Sequence, residues 1–284
     1  MITSRAYAPG DFRLMLDLVS ELWPGGRHGP GYAFMAQRLP FDDWEARLWF
    51  DDGPFVGWAW TTGWRRPSGL SYELRPGYEL LFDELLDWSR AEVTTVHSGD
   101  ETIAAMLRAR GFAHDPDAPW IRWNSRVLDV IEQPVVPHGY RLATMVEYGD
   151  FTSRAAAHRS AFTRPGAASR FSEEVYATVR REGPWRAELD CVAVDDQGEV
   201  AAFALAWLDE RNGVGELEPV GVRAEDRRRG LGRAVCLHAL HQLRSAGAET
   251  ALVGSRGDDE YPAPRLLYES IGFREAWRTL PFTR

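Results

Sequence analysis

Residues 220–235 read Val-Gly-Val-Arg-Ala-Glu-Asp-Arg-Arg-Arg-Gly-Leu-Gly-Arg-Ala-Val: a short β-branched strand, a polar basic turn and the start of a helix. A helix N-terminus carries unpaired N–H groups at the positive end of the macrodipole, and glycines at 230 and 232 let a bulky anion approach the backbone. Three consecutive arginines, Arg227, Arg228 and Arg229, add charge at the rim. A diphosphate suits this order of features. The spacing Arg227-x-x-Gly230-x-Gly232 is neither the G-x-G-x-x-G of dinucleotide folds nor the Gly-Lys-Ser/Thr of nucleotide P-loops. Upstream, Pro219 removes a ladder donor and Gly221 weakens pairing, so this strand is expected to bulge or part from a neighbour and leave a gap.

A chain of 284 residues is nearly twice the usual domain length, and 44% hydrophobic against 26% charged residues is a globular balance, so two compact domains are expected. The segment 132–138, Glu-Gln-Pro-Val-Val-Pro-His, has two prolines and no periodicity and reads as a linker between domains at 1–131 and 139–284. Before it, periodicity predicts strands at 55–62, 93–97 and 120–124 and helices at 78–90 and 102–110. After it come strands at 140–143, 190–194, 200–208, 215–222 and 250–253, with helices at 150–162, 172–181, 231–246 and 263–271. Two short matches accompany the shared order, Gly10-Asp11-Phe12 with Gly149-Asp150-Phe151 and Gly111-Phe112 with Gly272-Phe273, and favour an internal duplication.

A formal net charge of −9 argues against nucleic acid or an anionic membrane as partner. Cys191 and Cys236 lie outside any metal-ligand spacing, so both read as buried thiols and no metal is expected. No apolar run reaches about 18 residues and the start lacks a signal-peptide pattern, which makes the cytoplasm the expected location. Twelve tryptophans, among them Trp44, Trp49, Trp58, Trp60, Trp64, Trp88, Trp120 and Trp123, are expected in a core or a domain interface.

The motif Arg227-x-x-Gly230-x-Gly232 resembles the acyl-CoA signature R/Q-x-x-G-x-G/A of the GNAT N-acetyltransferase family, and Leu267-Tyr268-Glu-Ser-Ile-Gly272-Phe273 resembles its second motif, L-Y-x-x-x-G-F. The likeness spans the C-terminal half. It implies an α+β fold of tandem GNAT-like domains, each a mixed, mostly antiparallel sheet flanked by helices. It also implies acetyl-CoA (CoA) as cofactor, its pantetheine arm along Val220, Gly221 and Val222 and its diphosphate on the amides of Arg228, Arg229, Gly230, Leu231, Gly232 and Arg233, with Arg227 opening the motif.

Acyl transfer to an amine needs a base, donors for a developing oxyanion and an acid for the thiolate. Glu216 and Glu218 alternate on one strand and so share a face. Glu218 is nearer the expected acyl carbon, and Glu216 stands where the family resemblance places a general base in some histone-acetylating members. Glu218 is the favoured base and Glu216 the alternative. A backbone N–H near Val220 or Gly221 is the oxyanion candidate, and Tyr268 matches the family tyrosine that reaches the CoA sulfur. One departure is Tyr261, where the family often has asparagine. His158, at a helix end where relatives build the acceptor pocket, reads as a capping or surface residue.

The N-terminal half lacks the signature: its matching turn contains Arg75-Pro76-Gly77, with Glu79 adding negative charge, and Leu107 stands opposite Tyr268. It is expected to be a degenerate, non-catalytic copy. The resulting reading is an acetyltransferase acting on a small-molecule or peptide amine by direct attack in a ternary complex, with homodimerisation left open; the alternative is a non-catalytic CoA-binding or regulatory module.

Overall fold

The structure, a computed structural model, describes residues 1–41, 44–62, 69–164 and 166–284; Trp64 lies outside them. The first half runs β1 (Ile2–Ala6), α1 (Asp11–Leu22), a 3₁₀ segment (Pro30–Arg38), β2 (Glu45–Asp51), β3 (Phe55–Thr62), β4 (Gly69–Leu74), α2 (Leu81–Ser89), β5 (Val93–His97), α3 (Glu101–Ala109), β6 (Ala113–His114) and β7 (Ile121–Val127). After the proline-bearing segment come β8 (Tyr140–Thr144), α4 (Met145–Tyr148), α5 (Phe151–Phe162), α6 (Glu173–Glu182), β9 (Asp190–Asp195), β10 (Val200–Asp209), β11 (Val214–Val222), α7 (Leu231–Ser245), β12 (Thr250–Arg256), α8 (Ala263–Ser270) and β13 (Arg274–Thr283). The elements read from periodicity are present within a few residues of their expected bounds. The strands β1, β2, β4, β6 and β13, helices α1 and α4 and the 3₁₀ segment add to them.

The two halves join into one sheet in the order β1-β2-β3-β4-β5-β13-β7-β12-β11-β10-β9-β8, with β6 beside β13. Each half is mostly antiparallel, with one parallel pair among the described strands, β4 with β5 and β11 with β12. The seam is an exchange. β7, from the first half, pairs with β12 from Thr250↔Val127 to Arg256↔Ile121, while β13, from the second half, pairs with β7 at one end and β5 at the other.

β10 is an apolar run buried on both faces, as a central strand covered by helices on each side must be. One core lies beneath α7, whose Leu231, Val235, Leu240 and Leu243 point inward. A second joins the halves: Phe12, Met15, Tyr32, Phe34 and Trp58 pack with Phe171, Val175, Tyr176, Leu205 and Trp207. Trp49 and Trp58 are fully buried and Trp123 stacks on Trp277 at the seam, so these tryptophans fill core and interface as expected. Cys191 and Cys236 are buried free thiols. No helix among the described residues is long and apolar enough to cross a membrane.

Candidate active site

The sheet opens at β11. This strand pairs with β12 only at Val214, Gly215 and Glu216, and residues 217–222 continue without that neighbour. On its other edge Ala204 faces Val220 and Ala206 faces Leu217, so Leu205 alone spans Glu218 and Pro219. Both the bulge and the parting therefore occur where Pro219 denies the ladder a donor. Gly221 lies against Phe203, whose ring atom would stand 2.4 Å from an added Cβ.

β11 leads through Arg227 and Arg228 into α7. Asp100, Asp150 and Ser172 cap α3, α5 and α6 with their side chains, whereas α7 starts at Gly230 with no side-chain cap. The amides of Arg228 to Arg233 donate to no described group, which leaves a row of N–H donors at a helix start. Gly230 has φ 85° and Arg228 φ 63°; the second is a left-handed non-glycine residue of the kind that clusters at functional sites.

The arginines divide their tasks. Arg227 donates to Ala161 O at 2.9 Å and ties the end of α5 to the loop. Arg229 donates to the Tyr140 hydroxyl at 2.7 Å, and Arg233 pairs with Glu132. Arg228 makes no contact with a described charged group and is a cation beside the free amides. Leu231 is buried in the core, so only its amide faces the loop. Free amides, a cation and a parted strand together suit a diphosphate carrying a long arm, as in CoA.

Glu216 is sealed: its carboxylate accepts from the Gly31 amide at 2.9 Å, and burial with the neighbouring Glu218 pushes its pKa up to about 8. Glu218 is partly exposed, and burial raises it to about 7. Tyr268 makes no side-chain hydrogen bond to a described residue, and burial first, then Cys236 and Glu218, hold its hydroxyl well above the ordinary tyrosine range. Tyr261 is exposed.

A cavity of about 280 Å³ opens at Glu218 and Pro219. Its walls come from both halves: Phe34, Gln37 and Arg38 of the 3₁₀ segment, Phe41 after it, His158 and Phe162 of α5, and Phe171 and Val175 at α6. His158 corrects the sequence expectation. It is neither a cap nor a surface residue but is 5% exposed, stacked on Phe171 at 3.8 Å and flanked by Phe34 and Phe203. Burial, then Arg154 and Arg159, lower its pKa to about 2, so it stays neutral. A larger groove of about 610 Å³ between α1 and the β10–β11 turn touches none of the candidate residues.

Residues 157–273 match the model of the acetyltransferase (GNAT) family. The mycothiol acetyltransferase of Kytococcus sedentarius is 30% identical over 216 residues, 74% of this chain and 69% of that one. The chain belongs to the GNAT acetyltransferase family. A second mycothiol acetyltransferase, from Thermobispora bispora, is 29% identical over 238 residues, 80% of this chain and 79% of that one. Two solved structures share the fold. The tandem GNAT protein from the clavulanic acid biosynthesis pathway superposes with TM-score 0.65 at 19% identity, covering 100% of this chain and 98% of that one. A GCN5-related N-acetyltransferase from Sphaerobacter thermophilus gives 0.64 at 20%, covering 100% and 95%.

As a GNAT enzyme the protein is an acyl-CoA-dependent N-acetyltransferase that carries acetyl from acetyl-CoA to an amine. No sequence motif marks the N-terminal residues that reach this candidate site, Gly31 at Glu216 and Phe34, Gln37 and Arg38 in the cavity wall. Their one signal is composition: residues 24–31, Pro-Gly-Gly-Arg-His-Gly-Pro-Gly, hold four glycines where no turn between predicted elements required them.

Proposed function

We propose that the acceptor is a small-molecule primary amine bound in the cavity at Glu218, with acetyl-CoA lying along the open edge of β11 and its diphosphate on the amides of Arg228 to Arg233. Bound acetyl-CoA supplies the activated acetyl group. Glu218 takes the acceptor's proton at its carboxylate; a carboxyl titrating at about 7 accepts a proton from an ammonium group and still ionises near neutral pH. The edge of β11 that leaves β12 offers preorganised amides near Val220 and Gly221 for the acyl oxygen. Tyr268 retains its phenolic proton and donates it to the departing thiolate. The N-terminal half is a non-catalytic copy that walls the acceptor cavity.

The observation that carries this reading is convergence: the strand opening, the uncapped helix start and a carboxyl titrating at about 7 lie on one continuous segment, 216–233. A second reading has Glu216 as the base acting through water, favoured by its place as the last residue paired before the strands part.

Release of free CoA thiol from acetyl-CoA is the assay, run over a panel of primary amines that begins with the unacetylated form of the compound for which the mycothiol acetyltransferases are named. Glu218→Gln is expected to lower kcat about 10²-fold or more, and Tyr268→Phe to lower it as well, while the thermal shift with acetyl-CoA is kept. A full rate in Glu218→Gln with a lost rate in Glu216→Gln selects the second reading. Full rates in both reject a carboxylate base on β11.

A further inference from the structure

The N-terminal half has its own strand parting, and its own chain fills it. β4 pairs with β5 only at Gly69↔Val93 and Leu70↔Thr94. Into the opening beyond comes Arg27, whose guanidinium lies 4.0 Å over the Tyr72 ring, donates to the Tyr72 hydroxyl at 2.6 Å and reaches Thr95 Oγ1 at 3.2 Å on the facing strand. Beside it the buried Glu73 Oε1 accepts from the Arg27 amide at 2.7 Å and the His28 amide at 3.0 Å, and meets His28 Nδ1 at 2.8 Å. Three residues on, the Gly31 amide donates to Glu216 across the halves. The fit there is close. A Cβ on Gly31 would stand 2.4 Å from the Glu216 carboxyl, and one on Gly29 2.3 Å from it.

We propose that residues 25–31 form a positioning strap: Glu73 and Arg27 fix it in the N-terminal half, and Gly31 at its end holds the Glu216 carboxyl in the orientation the transfer uses. This rests on the second reading above, in which Glu216 handles the acceptor's proton. It gives the non-catalytic half a task at the reaction centre, with Glu73 and Gly31 as positioning residues.

The groups around Glu216 are few. Its own strand brings Glu218, the 3₁₀ segment the Gly31 amide, β10 the facing Trp207 and β12 the facing Leu252. The titratable Glu73, His28 and Tyr32 contact one another, Glu73 on His28 and His28 on the Tyr32 ring, and none of them shifts Glu216. Because the Gly31 hydrogen bond favours the ionised carboxyl, its loss raises the titration of Glu216.

The full-length chain labelled with ¹³C-glutamate reports that titration by NMR, with Glu216→Gln providing the assignment. In Gly31→Ala the added Cβ, 2.4 Å from the Glu216 carboxyl, pushes the carboxyl off the amide, and the midpoint is expected to rise by about one pH unit, the size of a lost hydrogen bond to a charged group. Glu73→Ala is expected to move it the same way, and Glu73→Gln, which keeps an acceptor oxygen, to restore it. An unmoved midpoint in folded Gly31→Ala overturns the strap, as does movement in Gly31→Ala with none in folded Glu73→Ala. Should Glu73→Ala not fold, Gly31→Ala decides alone. If instead Glu216→Gln releases CoA at the full rate, the reading beneath the proposal fails, whatever the midpoint does.

Discussion

Two carboxyls on one strand, Glu216 at about 8 and Glu218 at about 7, titrate above an ordinary glutamate because burial disfavours their charged forms. An unfolded glutamate ionises near 4.5 and the folded ones only at about 7 and 8, so the native state binds more protons in between. Their contribution is fully present below the unfolded value and is lost as pH rises through the folded values. A Glu216→Gln/Glu218→Gln protein is therefore expected to gain melting temperature relative to the parent as pH goes from 5 to 8, measured by scanning calorimetry. A constant difference across that range contradicts the burial assigned to the pair. The alternation that puts both carboxyls on one face is legible in Glu216-Leu217-Glu218. Their unequal exposure is not, because the seal on Glu216 is an amide 185 residues away, and no local pattern encodes so distant a contact. His158 was misread for the same reason: the rings of Phe34 and Phe171 that enclose it come from other elements.

At the scale of elements, strand β11 was the most legible part, since proline and glycine act on pairing wherever they stand, and both bulge and parting followed. Helix α7 was legible from its apolar periodicity and the glycine before it. The exchange of β7 and β13 was not, because periodicity names a strand but not its neighbour. Helix α5 owes its place to a buried ion pair: Arg154 Nε lies 2.9 Å from Asp190 Oδ1, with Trp185 also donating to that carboxylate at 3.2 Å. It carries His158 into the cavity and Ala161 to Arg227. Asp190→Ala leaves the guanidinium buried without its partner and is expected to cost about 3–5 kcal/mol in chemical denaturation. A cost below 1 kcal/mol contradicts that role.

For the whole molecule, the sequence suggests two domains meeting at 132–138, and the structure adds strand pairs and a common core that cross that segment. A fragment of residues 139–284 lacks β7, which leaves the β12 edge open, and lacks Phe12, Met15 and Trp58 from the shared core. It is expected to be insoluble or oligomeric; a monomeric fragment by size exclusion that retains the full thermal shift with acetyl-CoA contradicts this. In the proposed complex, main-chain amides at one turn grip the CoA diphosphate while the cofactor's arm lies in the opening of β11. A crystal structure of the full chain with CoA tests it most directly. The expected density has the diphosphate oxygens accepting from amides between Arg228 and Arg233 and the arm beside Val220 to Val222. Density for CoA in the opening between β4 and β5, or none at α7 at saturating ligand, contradicts it.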